Sequence, residues 1–134
     1  MNKDKVCKVF VYGTLKEGRP LDRPEFARIR TSVEEASIKG DIFDLGWYPT
    51  VKLAGKGKVY GEIHTFPSDI IRSILLRMDR IEGYDINYPD RGLYNRHVVE
   101  AKLKSGGKVK AWVYEKNGDV GRAAKIEDGV WEPK

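Results

Sequence analysis

Glu82 is the residue whose type and position ask for chemistry. It ends the run FPSDIIRSILLRMDRIEGY, Phe66 to Tyr84. Counting back from it by threes and fours reaches Met78, Leu75 and Ile71, so a helix here carries the carboxylate on its apolar stripe, at the last turn. Desolvation and the partial negative charge of a helix C-terminus both disfavour the anion and raise its pKa toward neutrality. A carboxylate poised there can take a proton and give it back. An acidic residue in a last turn also breaks a local rule, and such departures concentrate at functional sites. The alternative puts Glu82 past the helix end, in solvent. Asp79 and Arg80 fall off the stripe and read as a solvated face.

A second candidate is Tyr12-Gly13-Thr14-Leu15, where the apolar run VFVY stops. Successive backbone N–H groups in a turn after a strand form a concave anion site, and a glycine lets a ligand approach the backbone. A carboxylate would suit it. No G-x-x-x-x-G-K-[ST] pattern follows, so this is not a nucleotide phosphate loop. An ordinary strand-ending turn is the competing reading. Tyr84, Tyr88 and Tyr94, with Arg91 and Arg96, follow Glu82 closely. Their hydroxyls can orient a carboxylate or an amine, or serve as amphipathic packing. His64 and His97 have no partner at metal-ligand spacing, and neither a metal nor a cofactor is expected. Cys7 has no neighbouring base and reads as a small core hydrophobe.

These residues need elements to hold them. Lys5 to Tyr12 reads as a strand stopped at Gly13. The loop Lys16-Glu17-Gly18-Arg19-Pro20 leads to a short helix entered at Asp22-Arg23-Pro24, with Phe26 and Ile29 on one side. Ala36 to Leu45 and Lys58 to Phe66 carry β-branched and aromatic residues broken by Gly40, Gly46, Gly57 and Gly61, the pattern of bent strands in a small barrel. Between them LGWYPTVKL, with Trp47, Tyr48 and Pro49, reads as a loop. In the helix that ends at Glu82, Ser68 is placed to cap, Asp69 suits the first turn, and Gly83 suits a left-handed stop. His97–Lys104 and Lys108–Glu115 alternate, with Val99, Ala101 and Leu103 answered by Val109, Ala111 and Val113, across a Ser105-Gly106-Gly107 hairpin. Beyond Lys116 no period is visible, although Ile126 and Trp131 are apolar enough to dock.

The 134 residues suit one domain, 1–134, with 40% apolar and 34% charged residues and no apolar run long enough to span a membrane. The start MNKDKVCKVF has no apolar core of signal-peptide length, and one cysteine agrees with a reducing compartment; the expectation is a cytoplasmic protein without a membrane partner. The net charge is +5, but the basic residues are interleaved with acids, so nucleic acid is not an expected partner.

Taken in order, YGTL after the first strand, LGWYP, VYGEI, MDRIEGY closing the helix and YNRHVVEA resemble the γ-glutamylcyclotransferase-like family, most closely its AIG2-like and γ-glutamylamine cyclotransferase branch. The tail IEDGVW is similar to the ending of many members. Met78 stands where the family has Leu, a swap that conserves volume. The resemblance implies an α+β fold, a small mixed β-barrel flanked by helices, with a cavity over the YGTL loop. It implies that Glu82, the glutamate of D-x-x-E-G, is the general acid/base. Tyr12, Gly13, Thr14 and Leu15 would offer backbone donors to a glutamyl group, and Tyr94, from the Y-x-R segment, would line the site with Arg96 behind it. The implied reaction closes a γ-glutamyl group to 5-oxoproline and frees an amine, without a cofactor, in a monomer or homodimer whose partner is a small γ-glutamyl amine or peptide. A non-catalytic carboxylate-binding protein of the same fold is the alternative.

Overall fold

A computed structural model describes residues 6–13, 16, 18, 22–46, 48–85, 87–88 and 91–132. Thr14, Leu15 and Trp47, and Glu17, Arg19 and Pro20 of the first loop, lie outside the described residues.

Five strands close on themselves. Strand β1 (Lys8–Val11) runs antiparallel to β5 (Lys58–Thr65), β5 to β2 (Ser32–Lys39), β2 to β6 (Tyr94–Leu103) and β6 to β7 (Lys108–Lys116). The ring shuts where β7 returns alongside β1 in parallel, through Val9 opposite Trp112. Three short strands extend the sheet: β4 (Pro49–Lys52) adds to β7 in parallel, β3 (Asp41–Asp44) pairs with β4, and β8 (Ala124–Lys125) pairs with β3. Helices α1 (Pro24–Ile29) and α2 (Ile71–Glu82) complete the α+β barrel.

Alternation along the strands separates two cores. Phe10, Ile38, Val59, Ile63, Ala101 and Val113 fill the barrel interior. Val9 and Val11, the neighbours of Phe10 on β1, pack instead with Phe26 of α1 and with Ile71, Ile74, Leu75 and Met78 of α2. The helices thus cover the β1 side of the barrel, and α2 presents its apolar stripe to it.

Several elements differ from the sequence-based expectation. LGWYPTVKL is half strand: Pro49 is the first residue of β4, where a missing N–H is tolerated. The strand expected over Ala36–Leu45 starts earlier, at Ser32, and is two strands parted at Gly40. Ser68 does not cap α2; Ile70 precedes the helix without a side-chain cap, and the N–H groups of Ile70 and Ile71 reach the Pro67 carbonyl at 3.2 and 3.1 Å instead. A backbone turn does the work of the cap, and Asp69 belongs to that turn, outside the helix. Pro24 occupies the first turn of α1 as expected. The tail docks through Trp131, which is 2% exposed and belongs to the barrel core, while the Gly129 carbonyl takes the N–H of Tyr60 at 2.9 Å.

Candidate active site

The stop of α2 decides where Glu82 sits. Gly83 adopts φ 70°, ψ 35°, a left-handed conformation open to glycine at no steric cost. Its N–H reaches the Arg80 carbonyl at 3.4 Å and the N–H of Tyr84 reaches the Asp79 carbonyl at 2.8 Å, a double closure that turns the chain sharply after Glu82. The side chain therefore stays on the stripe of Ile71, Leu75 and Met78 and is half-buried. Burial lifts its pKa to about 7.

Three phenols from different parts of the barrel feel the charge of this carboxylate. Tyr12 follows β1, Tyr94 opens β6 and Tyr114 lies in β7; all three are buried. Burial, then the charge of Glu82, raises the Tyr12 and Tyr94 pKa values. Tyr114 is raised by burial, then by Asp79, with Glu82 contributing less. All three hydroxyls are neutral at physiological pH. Tyr12 donates to the Tyr114 carbonyl at 2.6 Å, and Tyr94 donates to the Pro49 carbonyl at 3.3 Å. Thr50, fully buried beside Pro49, takes the Lys116 N–H at 3.1 Å and ties the start of β4 to the end of β7.

Gly13 is buried against the same proline. A β-carbon on residue 13 would meet Cγ and Cδ of Pro49 at 2.7 and 2.8 Å. The bare backbone at the end of β1 thus has a packing cause that the sequence did not reveal, because Pro49 is far along the chain. The Gly13 carbonyl accepts the Lys16 N–H at 3.1 Å, so the chain turns here as expected.

Asp79 overturns its reading as a solvated residue. It is 5% exposed. Its Oδ1 lies 3.0 Å from Nε of Arg96 and takes the Tyr114 O–H at 2.6 Å, and its Oδ2 takes a guanidinium N–H of Arg96 at 3.3 Å. Burial raises its pKa, against the opposing pull of Tyr114 and Arg96. The Arg96 guanidinium lies against two aromatic rings, 4.4 Å from the Trp112 centroid and 5.2 Å from that of Tyr84. A signal existed in the sequence: Asp79 is four residues after Leu75 and adjoins Met78, so a slightly wider stripe includes it. Arg80, in contrast, is exposed.

The structure brings Tyr12, Gly13, Glu82 and Tyr94 to one end of the barrel, with Pro49, Thr50, Asp79, Arg96 and Tyr114 joining them. Tyr88 does not join: it is 53% exposed and stacks with Arg91 at 4.5 Å. His64 is buried and bonded to Glu62 at 3.0 Å, and His97 pairs with Glu115 at 3.4 Å. Among the described residues no three His, Cys, Asp or Glu side chains converge as a metal site, and no helix is long and apolar enough to cross a membrane. What the site offers is one carboxylate that exchanges a proton near neutrality, walled by neutral hydroxyls whose own protons are engaged.

Solved structures share this architecture. An AIG2-like protein of Mus musculus is 19% identical with a TM-score of 0.66, over 96% of each chain. The protein ytfP of Escherichia coli is 24% identical with a TM-score of 0.65, over 92% of this chain and 95% of that one. An uncharacterized protein of Pyrococcus horikoshii is 26% identical with a TM-score of 0.62, over 92% and 87%. Curated proteins give no match. The family model described as "Gamma-glutamyl cyclotransferase, AIG2-like" matches residues 9–133, from β1 through the docked tail, and the chain belongs to that family.

Proposed function

We propose that this protein is a γ-glutamyl cyclotransferase in which Glu82 moves the protons. The observation that carries the reading is the half-buried Glu82 carboxylate with a pKa of about 7, held by the α2 stop at the barrel end where Tyr12, Gly13 and Tyr94 meet. Membership of the family supports the reaction type.

The substrate holds both reacting groups. Its α-amine attacks its own γ-carbonyl, the new C–N bond closes a five-membered ring, and the bond to the leaving nitrogen breaks. Confining a glutamyl group in the folded geometry lowers the barrier by up to about 7 to 11 kcal/mol, with no enzyme nucleophile. Glu82 enters as the carboxylate, takes a proton from the attacking amine and returns it to the departing amine, so the enzyme is unchanged after one turnover. Tyr12 and Tyr94, whose protons are engaged with the Tyr114 and Pro49 carbonyls, act as walls. The N–H groups of Gly13, Thr14 and Leu15 are proposed to hold the substrate carboxylate or the developing oxyanion; loss of one such donor costs about 2.7 to 4 kcal/mol.

The test is mass-spectrometric detection of 5-oxoproline after incubation with a panel of γ-glutamyl amines, peptides and ε-(γ-glutamyl)lysine, using wild type and Glu82→Gln. Product with wild type alone is the expected result, and the best substrate names the leaving amine. A ligand bound and recovered intact from both proteins overturns the catalytic reading in favour of a carboxylate-binding protein.

A further inference from the structure

Two acidic side chains leave the last turn of α2 toward the barrel, and only one of them is paired. Glu82 has no hydrogen-bond or ion-pair partner among the described residues, whereas Asp79, three positions earlier, is held by Arg96 of β6 and by Tyr114 of β7. Residues three apart on a helix are surface neighbours. A bare Asp79 anion would therefore repel charge on Glu82 at short range, in a setting with little water to screen it.

We propose that Asp79 and Arg96 form a positioning pair for Glu82: they pin the turn that carries it to β6 and β7 with cancelling charge, leaving the second carboxylate electrostatically silent. The geometry suits both halves of this role. Arg96 meets Asp79 through an ion-pair contact of Nε with Oδ1 at 3.0 Å and one hydrogen bond to Oδ2 at 3.3 Å, and its guanidinium also lies against the Trp112 and Tyr84 rings, so the anchor has several points of attachment. The Asp79 carbonyl closes the α2 stop through the Tyr84 N–H, so the pinned residue is itself part of the turn after Glu82. The remaining titratable groups close to Glu82, among the described residues, are the hydroxyls of Tyr12 from β1, Tyr94 from β6 and Tyr114 from β7, all neutral near pH 7, with Tyr48 beyond Tyr94. The other charges of this turn, Arg80 and Asp85, are exposed to solvent, so the pair is the buried fixed charge of the turn that carries Glu82. Its catalytic relevance rests on the reaction proposed above; its electrostatic role does not.

The experiment follows the Glu82 carboxyl carbon by NMR titration in wild type, in Asp79→Asn and in Asp79→Asn/Arg96→Gln. The single variant leaves an uncancelled guanidinium and is expected to lower the Glu82 pKa by about one unit. The double variant, a neutral amide pair, is expected to bring it back to the wild-type value. A single variant that titrates like wild type, or a double variant that titrates like the single one, overturns the proposal. Arg96→Lys keeps the charge, avoids a lone buried cation and gives up the guanidinium's hydrogen bond to Asp79 and its contact with the two rings. Its Glu82 titration is expected to stay in place while hydrogen exchange at the Gly83 and Tyr84 amides accelerates at least tenfold. Unchanged exchange removes the anchoring half of the proposal. Because these readouts need no turnover, a wild type that forms no 5-oxoproline overturns the proposed reaction and leaves this inference standing or falling by itself.

Discussion

The ring of Pro49 occupies the space that a side chain on residue 13 would need, with Cγ only 2.7 Å from the position of a β-carbon there. The end of β1 and the start of β4 are thereby locked together. The same proline accepts the Tyr94 hydroxyl through its carbonyl. A change at Gly13 therefore reaches the wall of the site. Gly13→Ala is expected to lower stability by about 1 to 3 kcal/mol, the usual cost of overpacking, measured by urea denaturation. Pro49→Ala in the same background removes the clashing ring atoms and is expected to recover most of that loss.

The burial that tunes Glu82 has a stability cost that can be read without any substrate. Its folded pKa of about 7 lies above the ordinary carboxylate value of 4.5, so between these values the folded state binds more protons than the unfolded one. Stability contributed at this position falls as pH rises through that window and levels off above it. Glu82→Gln has no such fall. It is expected to be more stable than wild type by about 3 kcal/mol at pH 8 and nearly equal to it at pH 4, as compared by denaturant titration at the two pH values.

The same group should shape the rate. If Glu82 must enter as the carboxylate, kcat/KM rises with pH and levels off above an apparent pKa near 7. A flat profile between pH 5.5 and 8.5, with a chemical step shown to limit the rate, would rule Glu82 out as the base.

Asp22 and Arg30 make the opposite electrostatic case. Their side chains are each 6% exposed and meet at 2.6 Å and 3.2 Å, and Asp22 also takes the Gly18 N–H at 3.0 Å. Burial pushes the Asp22 carboxyl up, but Arg30 and the Gly18 N–H outweigh it and hold it below the usual range. Its stabilising contribution is present above the ordinary carboxylate pKa and is lost as pH falls through the lowered folded value. Arg30→Met leaves a buried anion alone and is expected to cost about 3 to 5 kcal/mol at neutral pH. Adding Asp22→Asn is expected to restore part of it, in a double-mutant denaturation cycle.

What could be read in the sequence was what local spacing encodes. The α2 stripe, the Gly83 stop and the β6–β7 hairpin all depend on residues a few positions apart, and all are present. The burial of Asp79 is not legible in the same way, because it depends on Arg96 and Tyr114, which reach it from two strands that no helical period can see. Pro49 reads as loop for a related reason: a four-residue strand is too short to show alternation, and its pairing with β3 and β7 is what defines it. Gly13 reads either as a ligand approach or as an ordinary strand-ending turn, and its packing partner Pro49 lies in that same strand, beyond the reach of local spacing.

The closure of the barrel has a kinetic meaning. Antiparallel neighbours such as β6 and β7 meet through a short hairpin, but the seam between β1 and β7 joins the two ends of the fold, and the Trp112 indole donates to the Val6 carbonyl across 106 positions at 3.1 Å. Such a contact carries a large loop-closure entropy and gives its reward only once the intervening strands are in place. A chain emerging during synthesis has β1 complete long before Trp112 exists, and until then one edge of that strand is bare to any other strand it meets. The β7-facing edge of β1 thus finds its partner only when most of the chain has been made.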